Sequence, residues 1–189
     1  MLSTLVVYVE NKPGVLNRVA SLFRRRAFNI ESLTVGHTEK PGLSRMTIVV
    51  NTTDEFGAKR LEANLYKLVN VVRVDNITSA PSVDRDLALI KVSAPPEERS
   101  HVLQLANVFR ARVVDVAPDS MILEITGAED KIEGLLEVLR PIGILEMVRT
   151  GRVAMARGSK SLGEQAAAAV VGSLAPSLES PGEDISYSV

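Results

Sequence analysis

Two asparagines and a Pro-Gly turn carry most of the chemistry legible in this chain. Asn11-Lys12-Pro13-Gly14-Val15-Leu16 stands where a β-branched run gives way to helical spacing, and Asn29-Ile30 opens the next β-branched run. The N–H groups of Gly14, Val15 and Leu16 then fall in the first turn of a helix, where they have no intrahelical partners. A helix start of this kind can hold a carboxylate, helped by the macrodipole. Pro13 presets φ for entry into the helix, and Gly14 lets a ligand approach the backbone. Asn11 and Asn29 each offer an amide that accepts or donates. The Ile30 carbonyl can receive an ammonium, and Leu16 and Leu33 can form an apolar wall. Carboxylate at one end and ammonium at the other describe a receptor for a free amino acid, not a catalytic centre. The competing reading is ordinary turn chemistry, in which Asn11 only bonds local backbone.

The surrounding elements give this turn a setting. Residues 4–10, a short β-branched run, read as a strand. Over 14–28, Val15, Val19, Leu22 and Phe23 recur at helical spacing. Residues 30–38 and 45–51 read as strands around the Lys40-Pro41-Gly42 turn. Asp54 is an N-cap for a helix with Leu61, Leu65, Leu68 and Val69 on one face, and 71–77 closes the unit as a strand. The order β-α-β-β-α-β is the ferredoxin-like plan. In it the first strand is central and the second is an edge.

The same order starts again after a linker at 80–85. Residues 86–93 read as a strand and 97–111 as a helix. A strand pair at 112–116 and 121–126 follows, then a helix at 130–139. An extended segment at 144–156 closes the unit, with a bulge at Gly151-Arg152. The expected class is therefore α+β, with two ferredoxin-like units in tandem at 1–79 and 86–158. Each is small enough to be marginal alone. A sheet with helices on one side leaves a face and two edges open, so a two-fold dimer is expected. Residues 159–189, rich in Ser, Ala, Pro and Gly, read as a flexible tail.

Composition narrows the function. Net charge is −1 and aromatic residues make up 4% of the chain, so neither a basic nucleic-acid footprint nor the stacking platform of an RNA-binding sheet is present. Tyr8 is the sole aromatic of the first strand. Cys is absent, which removes disulfides and thiolate chemistry. No apolar run approaches the ~18 residues of a membrane span, and the N-terminus lacks a signal-peptide pattern. A cytoplasmic protein is expected. His37 and His101 have no ligand cluster beside them in sequence and read as surface or packing residues. Arg24-Arg25-Arg26 reads as a solvated helix end. No phosphate-binding loop, dinucleotide fingerprint or hydrolase elbow occurs.

Several segments resemble a known family. The first unit is similar to an ACT domain, a small ligand-sensing module of amino-acid-regulated enzymes. Asn11 to Val19, Phe28-Asn29-Ile30-Glu31-Ser32-Leu33-Thr34-Val35, Leu43 to Ile48, Lys67-Leu68-Val69 and Val72-Arg73-Val74 resemble the regulatory (small) subunits of acetolactate synthase, also called acetohydroxyacid synthase. Phe109-Arg110-Ala111, Val113 to Val116 and Ala156-Arg157-Gly158 extend the likeness to residues 2–158. The resemblance implies a non-catalytic subunit that binds the large catalytic subunit, raises its activity and confers feedback inhibition by valine or another branched-chain amino acid. It implies an effector site at a homodimer interface, with Asn11, Gly14, Val15 and Leu16 from one chain and Asn29 and Ile30 from its mate. It places thiamine diphosphate, magnesium and FAD on the catalytic partner and no cofactor in this chain. The alternative is a free-standing ACT sensor acting on another enzyme or on transcription.

Overall fold

The computed structural model describes residues 1–158; the tail read as flexible, 159–189, lies outside the described residues. The first unit runs β1 (Leu2–Glu10), α1 (Val15–Arg25), β2 (Ile30–His37), β3 (Leu43–Asn51), α2 (Glu55–Leu65) and β4 (Val71–Asn76). Its antiparallel sheet has the order β2-β3-β1-β4, so β1 is central and β2 is an edge. Alternation along β1 sends Leu5, Val7 and Val9 toward the helices. They meet Val15, Val19 and Phe23 of α1 and Leu61 and Leu65 of α2 in one buried cluster. Asp54 caps α2 as its spacing predicts, accepting from the Gly57 N–H at 2.6 Å. Val69, expected on the buried face of α2, is 92% exposed. The helix has already ended at Leu65, and Val69 sits in the turn before β4.

The second unit repeats the order as β5 (Ser82–Ser93), α3 (Arg99–Val108), β6 (Arg112–Val116), β7 (Ser120–Gly127), α4 (Glu129–Leu139) and β8 (Ile144–Arg149), and adds β9 (Val153–Ala156). Its strands lie in the order β6-β7-β5-β8. Ala88, Ile90 and Val92 of β5 pack with Val102 of α3 and Ile132 and Leu135 of α4.

Two expectations change here. The segment read as a linker, 80–85, is already strand from Ser82 onward. Its residues 82–85 pair with β9, Ser82 opposite Ala156 and Arg85 opposite Val153. The extended run at 144–156 is not one bulged strand. Gly151 takes φ 82°, turns the chain and separates β8 from β9.

The resulting β5–β9 ribbon crosses the helix-free face of the first sheet. Val6 and Tyr8 of β1, Leu43, Ile77 and Ala154 of β9 form a third buried cluster there. The Arg45 guanidinium lies 5.9 Å from the Tyr8 ring centroid and also donates to the Ala154 carbonyl. That sheet face, expected to stay open until a partner arrived, is thus largely closed within the chain. Among the described residues no strand pairs with the outer edge of β2, and Val35 on it is 42% exposed.

Phe23→Ala removes the largest fully buried side chain of the first core. It is expected to lower stability by about 3–5 kcal/mol in urea unfolding. A loss below about 1 kcal/mol would show that α1 does not hold this sheet as described.

Candidate functional site

The turn after β1 is built by backbone contacts. The Asn11 N–H donates to the Gly42 carbonyl at 2.8 Å, and the Lys12 N–H donates to the Glu10 carbonyl at 2.9 Å. Gly14 is the N-cap of α1 with φ 81° and ψ −6°. A Cβ there would meet nothing within 4 Å. Glycine is required for its left-handed backbone, and the open space is what a ligand can use. Pro13 lies outside the helix. It precedes the cap, and Val15 is the first helical residue.

The helix start matches an anion receptor in most respects. No side chain caps it and its first turn holds no acidic residue. Among the described residues no acceptor engages the Gly14 or Leu16 N–H, while the Val15 N–H has a long contact of 3.4 Å to the Lys12 carbonyl. The Val15 side chain is buried in the core, so only its backbone faces the turn. Leu16 is 45% exposed and available as apolar wall. Lys12 pairs with Glu10 at 3.1 Å. The Glu10 carboxyl is held below its ordinary value, first by the hydrogen bond from the Asn70 amide and then by Lys12. Lys12 is thus engaged by Glu10, and the Gly14 and Leu16 N–H groups remain open to an anion.

Asn29 and Ile30 lie elsewhere. Ile30 pairs with Val50 of β3, while Glu10, beside Asn11, pairs with Leu43. Val50 and Leu43 are seven residues apart along β3, a separation of about 24 Å at the rise of an antiparallel strand. One chain does not bring the six expected residues together. Asn29 is exposed, and its amide donates to Glu31 Oε1 at 2.7 Å. The Ile30 side chain packs on the first core, which leaves its backbone as the group to face a ligand.

Two residues at these half-sites escaped the sequence reading. His37, at the far end of β2, places Nδ1 3.4 Å from the Asn11 amide nitrogen. Only the β2–β3 pairing reveals that contact. Glu31 adds a carboxylate beside Asn29, and its position two residues along a strand was the available signal. Among the described residues, no group of three or more His, Asp or Glu could hold a metal, and no helix is long and apolar enough to cross a membrane.

A βαββαβ sheet with an uncapped helix start and an edge strand beside it has the architecture of the ACT class of domains. Residues 5–73 match the family model of the ACT domain of acetohydroxyacid synthase small subunits, and 85–158 match that of the small subunit of acetolactate synthase. A probable acetolactate synthase small subunit of Archaeoglobus fulgidus is 55% identical over 160 residues, spanning 85% of this chain and 99% of that protein. The acetolactate synthase small subunit of Bacillus subtilis is 46% identical over 156 residues, spanning 82% and 91%. The crystal structure of the small subunit from Thermotoga maritima superposes with a TM-score of 0.78 at 42% identity, covering 85% of this chain and 99% of that one. The chain belongs to the acetolactate synthase small-subunit family.

Gly14→Ala is expected to cost about 1–2 kcal/mol, because an L-residue is forced into left-handed backbone with no compensating contact. An unchanged melting midpoint would mean that the turn relaxes to another conformation. In an NMR titration, Asn70→Ala should move the Glu10 pKa upward toward its ordinary value. No movement would assign the depression to Lys12.

Proposed function

We propose that this chain is the non-catalytic regulatory subunit of acetohydroxyacid synthase. It binds the large catalytic subunit, raises its activity and confers feedback inhibition by a branched-chain amino acid, with valine the leading candidate. Its setting is the cytoplasm and branched-chain amino-acid biosynthesis. Thiamine diphosphate, magnesium and FAD belong to the catalytic partner in this reading.

One observation carries the effector site: its two halves sit at opposite ends of the same free edge. Asn11, Gly14, Val15 and Leu16 lie beside the His37 end of β2, and Asn29 and Ile30 form the other end. A two-fold axis that pairs β2 antiparallel with its copy exchanges those ends. Each helix start then faces the Asn29–Ile30 end of the other chain, and the homodimer holds two equivalent sites. The open N–H groups take the effector carboxylate. Asn29, the Ile30 carbonyl and Glu31 surround its ammonium, and Leu16 lies along its aliphatic side chain. An apolar wall separates valine from isoleucine or leucine by only about 1–3 kcal/mol per methylene, so the three are tested together.

The test measures acetolactate production by the catalytic subunit from the same source, with and without this chain, each with and without valine, isoleucine and leucine. Activation reversed by one of them is expected. No activation by the folded chain would overturn the reading in favour of a sensor acting on another target. Gly14→Asp places a carboxylate where the effector carboxylate binds, so it should raise the inhibitory valine concentration at least tenfold while activation persists. Asn29→Ala should weaken valine binding in calorimetry without unfolding the chain. Unchanged affinity would remove Asn29 from the site.

A further inference from the structure

We infer that the turn joining β8 to β9 controls the Asn29–Ile30 half-site, with Arg152 as its positioning residue. The inference rests on the effector reading above and assigns that site a regulator in the second unit. The pairing of β2 with β3 slips between Ile30 and Ser32, where one extra residue, Glu31, stands out of register. The effector half-site therefore hangs from a bulge, the point at which an edge strand most easily changes direction. The contacts that pin this bulge come from a segment about 120 residues later. The Arg152 N–H donates to Ser32 Oγ at 2.8 Å, and Thr34 Oγ1 donates to the Arg152 carbonyl at 3.1 Å.

Arg152 is held in turn by the second unit. Its side chain is 20% exposed and pairs with Glu129 in the first turn of α4 at 2.6 Å, with Asp84 of β5 at 3.9 Å. It also reaches Thr4 Oγ1 of β1 at 3.4 Å. One side chain thus ties α4 and β5 to the central strand of the first unit, while its own backbone grips β2. Gly151 permits the close approach. It has φ 82°, and a Cβ there would lie 2.6 Å from Ser32 Oγ. A cavity of about 410 Å³ opens beside this clasp, lined by Glu31 and Leu33 of β2 and by Arg149 and Arg152. Ser32, Gly151 and Glu129 of the clasp line it as well, so bulge and clasp border the same open space. Effector binding at Asn29 and Ile30 selects one setting of the bulge, and the clasp carries that preference to α4. Linkage makes the effect reciprocal.

The test is calorimetric titration of the full-length chain with valine, isoleucine and leucine, each variant first shown folded by circular dichroism. Arg152→Ala and Gly151→Ala are expected to weaken binding about fivefold or more. Arg152→Lys keeps the charge but loses the guanidinium fork, and should fall between Arg152→Ala and the unmodified chain. Glu129→Gln leaves the backbone bonds to Ser32 and Thr34 in place and serves if Arg152→Ala does not fold; it too should weaken binding. In the unmodified chain, saturating effector should slow hydrogen exchange at the Arg152 amide. Equal affinity in all folded variants, with exchange at that amide unchanged, overturns the inference while leaving the effector reading intact. Failure of the unmodified chain to bind any of the three overturns both.

Discussion

Val6 and Tyr8 lie on the face of the first sheet that no helix covers, and burying them constrains the whole molecule. A strand in the middle of a sheet exposes side chains on both faces, and an apolar residue left in water forfeits about 1.5–3 kcal/mol. The chain meets this demand from within. It lengthens β5 at its start and returns β9 beside it, so that Ala154 and its neighbours close over Val6, Tyr8 and Leu43. The two units are consequently not beads on a linker. Residues 82–85 belong to the strand that joins them.

This arrangement determines where polar contacts between the units can form. The return to β9 requires a tight turn, and the turn falls against β2. Gly151 supplies the left-handed backbone, and Ser32, Thr34, Thr4 and Glu129 meet the polar groups of Arg152. Among the described residues no buried side-chain nitrogen or oxygen lacks a hydrogen-bond partner, as a stable seam requires. The opposite end of the first unit is different. The start of α1 has neither a capping side chain nor an acidic residue, and among the described residues its Gly14 and Leu16 N–H groups have no acceptor. Polar satisfaction at one end and its deficit at the other distinguish the structural seam from the proposed effector site.

The edge position of β2 joins these features. It is the free side of the sheet, it has the Gly14 turn beside one end and Asn29 at the other, and its middle is gripped by the second unit. The proposed partner pairing and effector binding thus fall on the same strand that the second unit grips.

Much of this was legible in the sequence because it rests on local physics. β-Branched runs and a period of 3.6 placed the strands and helices, Asp54 marked the start of α2, and Val15, Val19, Leu22 and Phe23 marked the buried face of α1. The Asn11–Gly14 turn and Asn29 stood out for the same reason, since turn residues act over a few neighbours. Contacts across about 120 residues leave no such trace. Ser32 and Arg152 are ordinary residues at ordinary spacings, and nothing local announces that their atoms meet. Residues 80–85 looked like a linker because Ala80-Pro81-Ser82 carries turn residues, and only pairing with β9 makes part of the segment a strand. The sequence by itself determined the repeated β-α-β-β-α-β order and the turn at Asn11–Gly14, because those depend on near neighbours. The separation of the two halves, the closing of the first sheet and the grip of Arg152 on β2 were decided by the tertiary structure, because register and packing are set by which distant surfaces must be buried together.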